Sequence, residues 1–130
     1  MPHILVVDDE SAIRRVLSLT LRSQGYTVDT ASNGQEALDR IREMPPDLIL
    51  LDYLMPVLDG GEVYRSLRAD GYTFPVIFLT AAAADVIKRQ FPHAELITKP
   101  YNIEHLFATI KGCLMRSLRN EEITTAAMIR

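Results

Sequence analysis

Residues 47–56 read DLILLDYLMP, from Asp47 to Pro56. Leu48, Ile49, Leu50 and Leu51 are apolar without a break, and the carboxylate of Asp52 follows at once. An unbroken apolar run of this length, set between prolines, reads as a strand buried on both faces, the kind found in parallel sheets covered by helices. The run then presents a problem. A segment that is driven into the core should not end on a charge unless that charge has work to do where the strand emerges.

Working outward, the same alternation of short apolar runs and helix-period segments fills the chain. Ile4–Val7 is a buried strand, and Ile13, Val16, Leu17 and Leu21 then recur at helical spacing, with Arg14, Arg15, Ser18 and Arg22 turned away. Gly25 suits that helix's C-terminus. Tyr26–Ala31 alternates as an edge strand does. Ser32 and Gln35 are spaced as a capping box for a second helix through Glu43, stopped by Pro45-Pro46. After Leu48–Leu51, Asp59-Gly60 reads as a turn and helix start, and the third helix carries Val63 and Leu67. Pro75–Leu79 is a fourth strand, Ala81–Gln90 a short helix ended before Pro92, and Leu96-Ile97 a fifth strand. Asn102 can cap a last helix with Ile103, Leu106, Phe107, Ile110 and Leu114 on one face. Five βα units predict an α/β fold, a parallel sheet with helices on both sides and right-handed connections.

The bulk numbers agree with one soluble domain. The chain has 130 residues, 48% apolar and 24% charged, with net charge −3. There is no basic footprint for direct nucleic-acid binding. No apolar run approaches membrane-spanning length, and MPHILVV is too short and too soon acidic for a signal peptide. The one cysteine, Cys113, excludes an internal disulfide and reads as a small buried hydrophobe. These features point to the cytoplasm and away from a membrane.

In open α/β sheets, ligands bind beyond the carboxyl ends of the strands, where strand order reverses. The residues that follow the apolar runs are Asp8 and Asp9, then Asp52, then Thr80, then Thr98 and Lys99. Were the order 2-1-3-4-5, the reversal would lie between Asp8-Asp9 and Asp52. Carboxylates gathered at one sheet edge raise one another's pKa and cost stability unless a cation joins them. Their hard oxygens favour Mg²⁺, with Mn²⁺ or Ca²⁺ as substitutes. Lys99 adds a point charge for an anion and Thr80 a short hydroxyl donor, so the set describes a phosphoryl site. Taken singly, each residue has a plainer reading: Asp8-Asp9 as a helix N-terminus, Asp52 as a turn cap, Thr80 as a strand-end hydroxyl, Lys99 as a solvated lysine. Arg14 and Arg15 read as a solvated face, and His3, His93 and His105 are scattered.

Four pieces in order, ILVVDDE (Ile4–Glu10), LLDYLMPVLDG (Leu50–Gly60), FLTA (Phe78–Ala81) and TKPY (Thr98–Tyr101), resemble the receiver domain of two-component response regulators. The resemblance runs from about Ile4 to Leu118. It implies a flavodoxin-like (βα)5 doubly wound sheet in the order 2-1-3-4-5, with a receiver over 1–119 and a tail, helix extension or linker stub over 120–130. It implies that Asp52 accepts a phosphoryl group from a phosphohistidine on a sensor histidine kinase or a histidine phosphotransfer protein. Asp9 and Asp52 would hold Mg²⁺, with Asp8 through water and Leu54 through its backbone carbonyl. Thr80 would move to the bound phosphoryl, Lys99 would pair with one of its oxygens, and Lys99-Pro100 is commonly cis in such domains. The output partner is not named by the sequence, and a monomer or weak dimer is expected.

Three departures from the family pattern carry expectations. Leu96 stands where an aromatic switch residue is usual. The stretch from Thr80 to Lys99 is short, which predicts a stub or displaced fourth helix. Gly61 replaces an apolar residue and is expected to loosen the start of the third helix. Leu54 and Ala82 cannot orient an attacking water, which predicts slow self-hydrolysis. Two other readings compete: an aspartyl-nucleophile phosphatase, disfavoured because Leu54 stands where a second acid belongs, and a pseudo-receiver that never takes phosphate.

Overall fold

The structure, a computed structural model, describes the backbone of residues 1–129 and the side-chain surroundings of residues 1–119. Its elements alternate strictly: β1 (His3–Val7), α1 (Ser11–Ser23), β2 (Thr27–Ala31), α2 (Gly34–Glu43), β3 (Leu48–Asp52), α3 (Gly60–Ala69), β4 (Val76–Thr80), α4 (Ala84–Gln90), β5 (Glu95–Thr98) and α5 (Ile103–Ile129). The five strands are parallel in the order β2-β1-β3-β4-β5, the doubly wound arrangement expected. The expected tail at 120–130 continues α5 as far as Ile129. Its side chains and Arg130 lie outside the described residues.

The apolar runs divide between two cores because successive strand side chains point to opposite faces. Leu5, Val7, Ile49, Leu51, Val76 and Phe78 pack on one face with α2, α3 and α4. Ile4, Val6, Leu48, Leu50, Ile77 and Leu79 pack on the other with α1 and α5. All five residues of β3 are buried, Asp52 among them. Leu48, Ile49, Leu50 and Leu51 each contribute about 2 kcal/mol on burial, so the strand can hold a costly last residue in place.

Several local expectations change. The cap of α2 is Asn33, whose side chain accepts from the Glu36 N–H at 2.8 Å, rather than Ser32. Ser32 instead donates its hydroxyl to Glu36 at 2.7 Å, one residue further out. On α1, Ser18 is buried while Val16 is 60% exposed. The helix therefore turns its core stripe through Leu17 and Leu21, about one residue away from the expected phase. Ile103 lies at the exposed edge of the α5 stripe.

The start of α3 is firm, contrary to the expectation for Gly61. Asp59 and Glu62 form a reciprocal capping box. Gly61 is buried, and a Cβ there would stand 3.1 Å from the Phe91 ring. The missing side chain is thus the space that Phe91 fills. Phe91 also meets Tyr64 at 5.0 Å and Phe78 at 5.5 Å between ring centroids, and Tyr53 meets Phe78 at 5.8 Å. The aromatic mass absent from β5 comes from its neighbours, and Leu96 sits half-buried against this cluster.

Helix α4 is short, as expected, but begins at Ala84 rather than Ala81. The Thr80 hydroxyl donates to the Ala82 carbonyl at 2.7 Å and accepts from the Ala82 N–H at 3.2 Å, which holds residues 81–83 in a turn. Ala83, at φ 63°, offers no capping side chain to start the helix earlier.

Candidate functional site

The carboxyl ends of β1, β3, β4 and β5 converge on one edge. Asp8 follows β1, Asp52 ends β3, Thr80 ends β4, and Lys99 follows β5. Thr80 and Thr98 are partners in register, and the Lys99 N–H donates to the Thr80 carbonyl at 2.7 Å. The Lys99-Pro100 bond is cis. These backbone pairings bring the Lys99 ammonium to the acids: Nζ is 3.2 Å from Asp8 Oδ2 and 3.9 Å from Asp52 Oδ1.

Asp8 is almost fully buried, and each of its polar groups is held. Its N–H donates to the Ala31 carbonyl at 3.2 Å. Its Oδ1 accepts from the Glu10 N–H at 2.9 Å, and its Oδ2 from Lys99. Its backbone carbonyl accepts from Arg14 Nη1 at 2.7 Å. Arg14 is half-buried there, so it does not share the solvated face with Arg15.

Asp52 is 7% exposed. Burial, first, and then the charges of Asp8 and Asp9 push its pKa up from 3.8 to about 6, against the downward pull of Lys99 and the Leu54 N–H. At pH 7 the group remains mostly ionised, though much less completely than a free aspartate. Tyr101 lies close enough to feel both Lys99 and Asp8, and burial raises its pKa.

Carboxylate oxygens of Asp8, Asp9 and Glu10 lie within 4.8 Å of one another. Glu10 was absent from the expected metal set of Asp8, Asp9, Asp52 and the Leu54 carbonyl. The third acid of the Asp8-Asp9-Glu10 run was the available signal for it. The donor set is hard oxygen throughout, which fits Mg²⁺, Mn²⁺ or Ca²⁺ and suits no soft metal. Asp52 is not part of that group; it is linked to it by Lys99, whose Nζ lies between Asp8 and Asp52, and by the charges of Asp8 and Asp9. The Leu54 side chain is exposed, as is Ala82. Arg14 is the other residue that sequence reading missed, since nothing in an exposed-looking helix arginine signals a bond to a backbone carbonyl. A groove of about 540 Å³ at the opposite end of the sheet, lined by Pro2, Tyr72, Phe74 and Leu118 among others, holds none of Asp8, Asp9, Asp52, Thr80 or Lys99.

Comparison with known proteins identifies the family. The family profile described as response regulator receiver domain matches residues 4–111. The chain belongs to that receiver-domain family. It is 38% identical over 129 residues to the response regulator MprA of Mycobacterium avium (strain 104), covering 97% of this chain and 57% of that protein. It is 41% identical over 117 residues to the alkaline phosphatase synthesis transcriptional regulatory protein PhoP of Bacillus subtilis (strain 168), covering 88% and 49%. The chain thus spans about half the length of these curated relatives. Among solved structures, chemotaxis protein CheY4 of Vibrio cholerae superposes with a TM-score of 0.81 at 34% identity, covering 87% of this chain and 98% of that one. The receiver domain of Francisella response regulator 1452 gives 0.82 at 28% identity, covering 90% and 99%.

Proposed function

We propose that Asp52 is the phosphoacceptor of this receiver and that the phosphoryl donor is a phosphohistidine on a sensor kinase or a histidine phosphotransfer protein. The observation that carries this reading is the Lys99 ammonium set between Asp8 and Asp52, at 3.2 and 3.9 Å, on the sheet edge where strand order reverses. An Asp52 carboxylate oxygen bonds to phosphorus while the bond from phosphorus to the donor imidazole breaks, and that imidazole keeps its electron pair and takes up a proton. The attacking carboxylate needs no base, because a pKa of about 6 leaves it ionised at pH 7. Lys99 lies where it can pair with a phosphoryl oxygen.

Asp8, Asp9 and Asp52, with the Leu54 carbonyl and with Glu10, whose carboxylate lies within 4.8 Å of those of Asp8 and Asp9, are the groups that would hold Mg²⁺. A divalent ion bound there would offset the charge of the acids and of the incoming phosphoryl oxygens. The acyl phosphate then offers new acceptors beside Thr80. To donate to one, the Thr80 hydroxyl must leave the Ala82 carbonyl, which frees the turn before α4.

The reading treats the chain as a switch rather than a turnover enzyme, supported by exposed, apolar Leu54 two residues after Asp52. It takes 1–119 as the receiver and 120–130 as its C-terminal extension, supported by a family match over residues 4–111 and by α5 continuing to Ile129. It places the protein in the cytoplasm, supported by membership of the response regulator receiver family. Among the described residues, no helix is long and apolar enough to cross a membrane. Incubation with acetyl phosphate and Mg²⁺, followed by intact mass, tests the assignment. Wild type gains one phosphoryl group and Asp52→Asn none; labelling that survives Asp52→Asn, or needs no divalent ion, overturns it. Sustained Mg²⁺-dependent hydrolysis of a chromogenic phosphate ester would point instead to a phosphatase.

A further inference from the structure

We propose that Arg14 is a positioning residue for the cation site: it fixes the peptide plane from which Asp9 presents its carboxylate. The inference rests on the reading of the acidic edge as a divalent-ion site. Arg14 reaches back one turn from α1 and donates through Nη1 to the Asp8 backbone carbonyl at 2.7 Å. That carbonyl belongs to the Asp8–Asp9 peptide. Because a peptide unit is planar, holding its oxygen fixes the direction of the Asp9 N–Cα bond and leaves one backbone torsion to aim the Asp9 side chain. Asp9 needs such support. Its side chain is exposed, and among the described residues no hydrogen bond holds its carboxylate. Asp8, by contrast, is fixed at its N–H, both carboxylate oxygens and its carbonyl.

Two effects of Arg14 oppose each other. Its positive charge close to the acids weakens binding of a second cation, whereas the fixed plane strengthens it by pre-organising a ligand. The hydrogen bond is short and charge-assisted, and among the described residues Arg14 forms no ion pair with a carboxylate. Pre-organisation therefore wins. Removing groups that orient metal ligands costs about 10–100-fold in metal affinity, and the partial relief of charge repulsion places this case near the lower end.

The test is calorimetric titration of Mg²⁺ into wild type, Arg14→Gln and Arg14→Lys, with folding checked by circular dichroism. Arg14→Gln loses both reach and charge, and its Mg²⁺ Kd rises about tenfold. Arg14→Lys keeps a cationic donor and recovers part of that loss. A merely structural arginine lowers the fraction of folded protein without altering the Kd of the rest. Unchanged or tighter Mg²⁺ binding by Arg14→Gln overturns the inference. If Arg14→Gln does not fold, Arg14→Lys decides: a Kd between twofold and tenfold above wild type supports positioning, and a Kd equal to or below wild type refutes it. Absence of saturable Mg²⁺ binding by wild type would instead remove the cation-site reading, and this inference with it.

Discussion

Replacing Asp52 by Asn should stabilise the metal-free protein. The folded state holds the Asp52 proton more tightly than the unfolded chain, at a pKa of about 6 against 3.8. Folding is therefore favoured while that proton is bound. The contribution is fully present below pH 3.8 and is lost as pH rises through about 6. At pH 7.5 the ionised group destabilises the fold by about 3 kcal/mol, at 1.36 kcal/mol for each tenfold change in proton affinity. Asn keeps the shape and removes the charge, and the pull of Lys99 is already contained in the pKa of about 6, so a net gain of about 2–3 kcal/mol is expected. Urea unfolding in EDTA measures it directly, and thermal melting should show a rise of roughly 8 °C. At pH 4 the difference between Asp52→Asn and wild type should nearly vanish. Mg²⁺ at a hundredfold its Kd should return about 2.7 kcal/mol to wild type alone. An Asp52→Asn protein that is less stable than wild type in EDTA at pH 7.5, or a gap that persists unchanged at pH 4, would refute the electrostatic reasoning.

Gly60 admits no side chain: a Cβ there would lie 2.6 Å from the Asp52 carbonyl and 2.9 Å from Tyr53 Cα, both backbone, so Gly60→Ala should cost about 2 kcal/mol in urea unfolding and slow acetyl-phosphate labelling. Val57 is 98% exposed with φ 70°, a conformation β-branched residues resist, so Val57→Gly should raise stability by about 0.5–1 kcal/mol; a lower melting temperature would contradict this. Lys99→Met leaves buried Asp8 and Asp52 without their shared cation, so metal-free stability at pH 7.5 should fall by about 2 kcal/mol in urea unfolding. Slow loss of the phosphoryl group from the purified protein is expected because Leu54 and Ala82 offer no polar side chain to an attacking water; rapid loss without a phosphatase, followed by intact mass, would count against it.

The architecture was legible because its signals are local and repeated. Unbroken apolar runs such as Leu48–Leu51 can satisfy their burial only between two layers of helices, and each helix segment carries its own periodic stripe. The acids, Thr80 and Lys99 stand out because each lies within two residues of the end of an apolar run, and the end of a parallel strand is where side chains meet a ligand. Phase and caps were less legible. Ser18 took a core position that Val16 was expected to hold because a helix can rotate by one residue to suit the sheet beneath it. Gly61 alone reads as a weak point, but the Phe91 ring fills the space a side chain there would take.

By itself, then, the sequence determined which residues stand at the ends of buried strands, since that depends on short-range pattern alone. Only the tertiary structure decided how strongly those residues act on one another. The rise of Asp52 to a pKa of about 6, the seat of Lys99 between two acids and the bond from Arg14 to the Asp8 carbonyl all depend on distances across separate strands and turns. Electrostatic energy varies with separation and burial, and neither is written in the order of residues along a chain.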